Sequence, residues 1–323
     1  MSLPLASIYT TSYNQEKYIR DAVLSAVKQD YDPLQIVVSD DASTDNSPKI
    51  LKELAAQYPI RLEIILNKKN MGITKNHKIA MSQCKGKYIA CLDGDDVFLP
   101  GKIRKQVEFM EAKPDCIISY HDCEVVDIGN GRKLFNWVDR FGKREGRVET
   151  LVRYGPFMCS ATVMARREFV SLDGYVDDMT SGADWLLWIQ TLANGKGNIR
   201  YFDDTLAKYR RHHSNITLNW KAKLDSRFYT LDLIEQKYPQ LRSVSNKYRS
   251  DLFLMRAAKS FSRHEYFLFS HDLIKALYNS SPLFWNILRI PIRELFFYFK
   301  NGMKQDDLIK SLFSMGVVTN KAE

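Results

Sequence analysis

Tyr88-Ile89-Ala90-Cys91-Leu92-Asp93-Gly94-Asp95-Asp96 carries five largely apolar residues straight into a stretch where three of four positions are carboxylates. An unbroken run of that length reads as a strand buried on both faces. Carboxylates crowded this closely repel one another unless protons or a cation compensate. Mg2+ or Mn2+ meets the need, being hard ions that take oxygen ligands and keep positions open for phosphate oxygens. Gly94 is read as permitting a tight turn directly after the strand.

Outward from this strand, short β-branched runs alternate with longer helical stretches. Strands are expected at 5–10, 35–39, 61–66, 88–92 and 116–120, with helices at 16–29, 46–57, 73–83 and 101–112. That rhythm predicts a mostly parallel sheet with helices on both faces. In such sheets ligands bind beyond the carboxyl ends of the strands. The candidate site therefore comprises Thr11-Ser12-Tyr13-Asn14, Asp40-Asp41-Ala42-Ser43, residues 67–72 and Asp93-Gly94-Asp95-Asp96. An aspartate at a strand end, Asp41, can accept the ring N–H of a uracil, and Tyr13 at the neighbouring strand end offers a face for base stacking. Asp45 is assigned to capping the following helix.

The 323 residues suit one large α/β domain and a smaller appendage. Lys and Arg outnumber Asp and Glu by 47 to 38, which favours anionic partners: nucleotides, phosphorylated lipids, membrane surfaces or nucleic acid. Five cysteines without a Cys-x-x-Cys pair fit buried thiols in a reducing compartment and argue against zinc. No secretory leader is read, because Asn14 to Lys17 follow soon after the first apolar run. Residues 283–304 mix Leu, Ile, Phe and Trp with Arg and Lys; interrupted by Arg289, Pro291, Arg293 and Glu294, they suit a membrane surface or a helical core better than a span. Residues 127–147 read as an exposed loop, 148–211 as a second α/β stretch, and the chain from 219 onward as helices burying Leu231, Ile234, Leu252, Met255, Phe267, Leu273 and Leu277.

The ordered set Tyr-Thr-Thr-Ser-Tyr-Asn (9–14), Asp-Asp-Ala-Ser-Thr-Asp (40–45), Asn70-Met71-Gly72, Gly86-Lys87-Tyr88-Ile89 and Leu92-Asp93-Gly94-Asp95-Asp96 resembles the inverting family 2 glycosyltransferases of GT-A fold. The likeness runs over about residues 5–215. It implies a mixed α/β sheet flanked by helices with a C-terminal helical appendage: a catalytic domain over 1–218, its nucleotide half about 1–120 and acceptor half about 121–218, then helices over 219–323. It further implies a UDP-type donor, with Thr11, Tyr13 and Asp41 about the base, Asp93 near the ribose and metal, and Asp95 as metal ligand. Gly182-Ala183-Asp184-Trp185 is similar to the family's acidic segment, which makes Asp184 the candidate base for the acceptor hydroxyl. Tyr209-Arg210-Arg211-His212 resembles the segment near the donor phosphates, giving Arg210 to the diphosphate and His212 to the metal.

There are departures from the pattern. Ala183 and Gln190 replace the Glu and Arg that many relatives carry around the base. Asn76 or His77 stands where many have an Arg facing the diphosphate, leaving Lys75 or Lys78 to meet it with charge but without a bidentate fork. The implied function is transfer of a sugar, with inversion, from a nucleotide donor to a glycan or lipid-linked acceptor in the cytoplasm, with or without contact at the inner membrane face. Two alternatives stay open: a nucleotidyltransferase, against which the glycine-free Thr11-Ser12-Tyr13-Asn14 speaks, and a non-catalytic basic protein binding nucleotide, nucleic acid or membrane. The sugar, acceptor and linkage depend on loop shapes that sequence does not supply.

Overall fold

The computed structural model describes residues 2–279 apart from 175, 177, 178, 180, 181, 213, 214 and 216–218. Strands β1 (Ala6–Ser12), β2 (Leu34–Asp40), β3 (Leu62–Leu66) and β4 (Tyr88–Asp93) are parallel in the order β3-β2-β1-β4. Helices α1 (Ile19–Val27), α2 (Ser47–Gln57) and α3 (Ile73–Ser82) link them in turn. Ile8, Ile36, Val38 and Leu92 are fully buried in one core with Val23 and Leu51 of the covering helices. Each such side chain contributes about 1.5–3 kcal/mol relative to exposure, so the carboxyl ends of the strands are held at fixed relative positions.

After β4 the expected alternation breaks. The chain continues through β5 (Val97–Phe98), α4 (Lys102–Glu111), β6 (Cys116–Asp127), β7 (Lys133–Asn136), α5 (Trp137–Phe141), α6 (Val148–Tyr154), β8 (Met164–Arg166), α7 (Ala183–Gly195) and β9 (Asn198–Arg211). The short β8, absent from the sequence reading, lies antiparallel between β4 and β6, so the next strand in sequence is not the neighbour of β4. β6 runs parallel to β9, and β9 takes β5 antiparallel at the edge. The nine strands thus form a mixed sheet rather than a mostly parallel one. Its far half is anchored by Arg166 on β8: Nη1 donates to Tyr88 Oη (3.0 Å), Nε to Cys116 C=O (2.8 Å) and Nη2 to Met110 C=O (2.8 Å).

The stretch 127–147 is only partly a loop. β7 pairs antiparallel with β6, and α5 follows it immediately. Its few apolar groups explain this, since Trp137 packs on Tyr209 at 5.7 Å and donates its Nε1–H to Phe157 C=O at 2.7 Å.

Residues through Thr230 form one compact unit, and a second begins at Leu231. Helix α8 (Trp220–Lys237) leads into it, and α9 (Arg242–Ser262) and α10 (Tyr266–Asn279) follow. Leu231, Ile234 and Leu252 are fully buried as expected, but Met255 is 57% exposed and Phe267 89%. The buried face of α9 is completed by Ser245, Ser250, Ala257 and Ser260, small residues that a search for large apolar groups passes over. Arg256 meets Asp272 of α10 through two bonds of 2.6 and 2.7 Å. The Leu277 side chain and residues 283–304 lie outside the described residues. No helix among the described residues is long and apolar enough to cross a membrane.

Gly86, just before β4, sits where a Cβ would fall 2.6 Å from Ser7 N and 2.8 Å from Leu5 O, both backbone atoms of the adjoining chain. Because neither can yield without disturbing the β1–β4 pairing, Gly86→Ala is expected to cost about 2 kcal/mol or more. Urea unfolding of the two proteins side by side measures the difference.

Candidate active site

The loops after β1 and β2 are sewn together before any ligand is considered. Asn14 N–H donates to Ser43 Oγ (2.8 Å), Gln15 N–H to Ser47 Oγ (3.0 Å) and Glu16 N–H to Asp45 Oδ2 (2.9 Å). In return Thr44 N–H donates to Asn14 Oδ1 (2.9 Å) and Asn46 N–H to Glu16 Oε2 (3.0 Å). Asp45 also accepts from the N–H of Ser47, the first residue of α2 (2.9 Å), so it braces the helix start and the partner loop together, but the N-cap position expected of it belongs to Asn46, whose side chain makes no cap bond. Asp41 is buried and accepts the N–H groups of Met71 (2.8 Å) and Gly72 (2.9 Å), tying the loop after β3 to the same wall. Tyr13 projects beside it, 48% exposed.

At the end of β4 the acidic stretch folds under β1. Gly94 N–H donates to Thr11 C=O (3.2 Å), and a Cβ at Gly94 would lie 2.7 Å from that carbonyl oxygen and 2.1 Å from Gln15 Oε1. Its φ is not in the left-handed region, so close approach to β1, rather than the turn conformation read from sequence, is what requires glycine here. Asp95 Oδ2 accepts from Asn215 Nδ2 (3.3 Å) and pairs with His212 Nε2 (2.9 Å), whose ring stacks on Tyr18 at 4.7 Å. Asp96 is buried and accepts Arg210 N–H through Oδ1 (2.9 Å), while Oδ2 has no hydrogen-bond partner among the described residues. Burial, then Asp95, push the Asp96 carboxyl well above its usual range. Burial, then Asp95 and Asp184, push Asp93 up to about 7. No Lys or Arg forms an ion pair with Asp93 or Asp95 among the described residues.

Asp184 stands in the first turn of α7 after Gly182, whose φ is +72°. Its Oδ2 accepts from Ser160 Oγ (3.2 Å), and burial raises its pKa against the lowering effect of that bond. One turn further along α7, Trp188 lines the same cleft, buried, with an Nε1–H that finds no acceptor among the described residues.

One cleft of about 920 Å³ joins these groups. Thr11, Tyr13, Asp41, Asn76, Asp93, Asp95, Asp184 and His212 all line it, whereas Lys75 and Arg210 do not. The Asn76 amide is committed internally, accepting from Ser39 Oγ (2.6 Å) and donating to Ser39 C=O (3.0 Å). Arg210 is a strut: its guanidinium donates to the carbonyls of Asp95 and Tyr18 and reaches Asp21 at 3.2 Å. Arg211, the next residue, faces the cleft instead. Ser160, Trp188, Asn215, Lys223 and Arg227 were not found from sequence. Only Trp188 carried a signal, lying four residues after Asp184 on a helix and so on the same face.

Two donor sets meet at Asp93. A His77 ring nitrogen, Cys91 Sγ and an Asp93 oxygen lie within 4.8 Å of one another, but burial pushes the Cys91 thiol well above its usual range and His77 down to about 4. A protonated thiol is a poor ligand for any ion. Asp93 and Asp95, with His212 against the latter, fit a hard divalent cation better.

A central parallel β3-β2-β1-β4 block extended by mixed strands, with its cleft at the strand carboxyl ends, defines a GT-A protein. The model of Glycosyl transferase family 2 matches residues 7–171, just over half the chain, and the chain belongs to that family. An uncharacterized protein of Mycobacterium tuberculosis is 33% identical over 216 residues, covering 65% of this chain and 60% of that protein. The chain therefore spans about 60% of the length of that curated relative. Staphylococcus aureus TarS 1–349 in complex with UDP-GlcNAc superposes with a TM-score of 0.66 at 18% identity, covering 85% of this chain and 81% of that one. The Pyrobaculum calidifontis mannosyltransferase PcManGT, in complex with GDP-Man and Mn2+, does so with 0.59 at 15%, covering 99% and 82%. At these identities the structures establish likeness of fold.

The raised Asp93 carboxyl makes stability depend on pH. In the unfolded chain it titrates near ~4 and in the folded chain at about 7. Between those values the folded state holds a proton that the unfolded state has lost, so stability falls as pH rises across the window. In metal-free buffer, Asp93→Asn is expected to gain on the unsubstituted chain between pH 5 and 7.5, approximate bounds taken from that window. A gap in melting temperature that stays constant with pH would contradict this.

Proposed function

We propose that the chain transfers a sugar with inversion from a UDP-type nucleotide donor to a hydroxyl of a glycan or lipid-linked acceptor. The observation that carries this reading is the convergence of Asp41, Tyr13, Asp93, Asp95 and Asp184 in one cleft. The fold is also that of proteins captured with UDP-GlcNAc and with GDP-Man and Mn2+.

Each group has work suited to its surroundings. Asp41, pinned by two backbone N–H groups, keeps a lone pair for the ring N–H of uracil, and Tyr13 stacks on the base. Asp93 and Asp95, aided by His212, hold Mn2+ or Mg2+, which when bound neutralises the donor diphosphate as it departs. Thr11 contributes at the nucleotide, Lys75 lies outside the cleft lining and takes no part, and Arg210 positions the acidic stretch through the Asp95 carbonyl rather than meeting phosphate itself. Asp184 takes the acceptor's hydroxyl proton as that oxygen attacks the anomeric carbon. Its raised pKa makes it a stronger base than an ordinary carboxylate. Five buried free thiols suit the reducing cytoplasm where nucleotide sugars are found.

Thermal shift tests the donor site. UDP with Mn2+ or Mg2+ is expected to stabilise the fold by about 2.7 kcal/mol at a hundredfold excess over the dissociation constant, and UDP alone much less. Equal shifts with and without metal, or with Asp95→Ala, remove the metal from the mechanism. For the base, Asp184→Asn is expected to bind UDP normally and to lower turnover about 10²-fold or more in a donor-panel product assay. Near-normal turnover would move the base elsewhere.

A further inference from the structure

The cleft has a second electrostatic region, and it is positive. Arg140 on α5, Arg211 at the end of β9, and Lys223 and Arg227 on α8 all line it. None of the four forms an ion pair with a carboxylate among the described residues, although Arg140 rests over the rings of Phe135 (5.4 Å) and Phe141 (5.8 Å). Lys223 and Arg227 are one helical turn apart, a spacing at which like charges repel. Burial pushes the Lys223 ammonium below its usual range, and Arg227, Arg140 and Arg211 push it the same way, with no carboxylate offsetting them.

The acidic stretch does not supply the missing counter-charge. Asp95 is engaged by His212 and Asn215, Asp96 by the Arg210 N–H, and Asp93 faces His77 at 3.8 Å. Asp184 lies within electrostatic reach of one of the four cations, Arg227. The positive region therefore reaches the candidate base through Arg227, while Arg211 is the chain neighbour of His212.

Resting on the transferase reading above, we propose that Arg140, Arg211, Lys223 and Arg227 form a subsite for a phosphate group carried by the acceptor. Guanidinium forks match phosphate oxygens in pairs, and the ammonium adds a point charge. Trp188, a donor without an acceptor among the described residues, lines the same space. The acceptor is then a phosphate ester, either a soluble glycan phosphate or the headgroup of a phosphorylated lipid, whose hydroxyl is presented to Asp184 by its own negative charge.

The test uses the full chain saturated with UDP and Mg2+, so that the donor's place is filled. sn-Glycerol 3-phosphate is titrated by calorimetry, and phosphatidylglycerol vesicles are sedimented separately, which distinguishes a soluble ester from a headgroup. Saturable binding of either probe, weakened about tenfold or more in the Arg140→Gln/Lys223→Gln double variant while its UDP affinity is unchanged, supports the subsite. Unchanged UDP affinity also reports that the variant is folded. Absence of binding by both probes in UDP-loaded chain overturns the subsite alone, as does a UDP affinity that falls in step, which would give these cations to the donor diphosphate. A chain that binds no UDP removes the transferase reading, and the subsite with it.

Discussion

Mutual repulsion among carboxylates at the end of a buried strand is the constraint on which the rest of this molecule turns. Asp93, Asp95, Asp96 and Asp184 face one cleft, and burial raises the pKa of three of them, Asp93, Asp96 and Asp184. Without restraint such a turn would splay into solvent. It is held by Gly94 lying against Thr11, by Arg210 grasping the Asp95 carbonyl and the Asp96 side chain, and by His212 stacked on Tyr18. Strand β9 thus serves the site from the far half of the sheet, and its long pairing with β6 makes that service rigid.

Much of this was legible in the sequence where local pattern decides structure. The four parallel strands end within two residues of the expected positions, because unbroken β-branched runs followed by polar turns leave the chain few choices. The aspartates and Tyr13 at those strand ends share one cleft for the same reason. Legibility failed where a long-range partner decides. β8 is three residues, Met164–Arg166, too short to carry a period, and it is a strand only because β4 and β6 offer open edges.

Side-chain roles were harder still. Arg210 and Arg211 are adjacent and chemically equal, and strand alternation alone sends one to the Asp95 loop and the other to the cleft. No motif could tell them apart. Asn76 likewise sits at the expected place on α3 but spends its amide on Ser39. Lys223 and Arg227 lie on a helix whose apolar pattern says nothing of what its polar face meets.

The reciprocal bonds between the first two strand loops carry a last consequence. Asn14 with Ser43 and Thr44, Glu16 with Asp45 and Asn46, and Asp41 with Met71 and Gly72 leave that wall with little freedom to lose. A base arriving there, as the proposed donor reading has it, would meet a rigid mould, so association would not be slowed by rearrangement and little ordering entropy would oppose it. Under the proposed donor reading, discrimination between uracil and a rival base at Asp41 would rest on how fast the wrong one leaves, since an unpaired edge against a fixed carboxylate cannot be relaxed by the wall giving way.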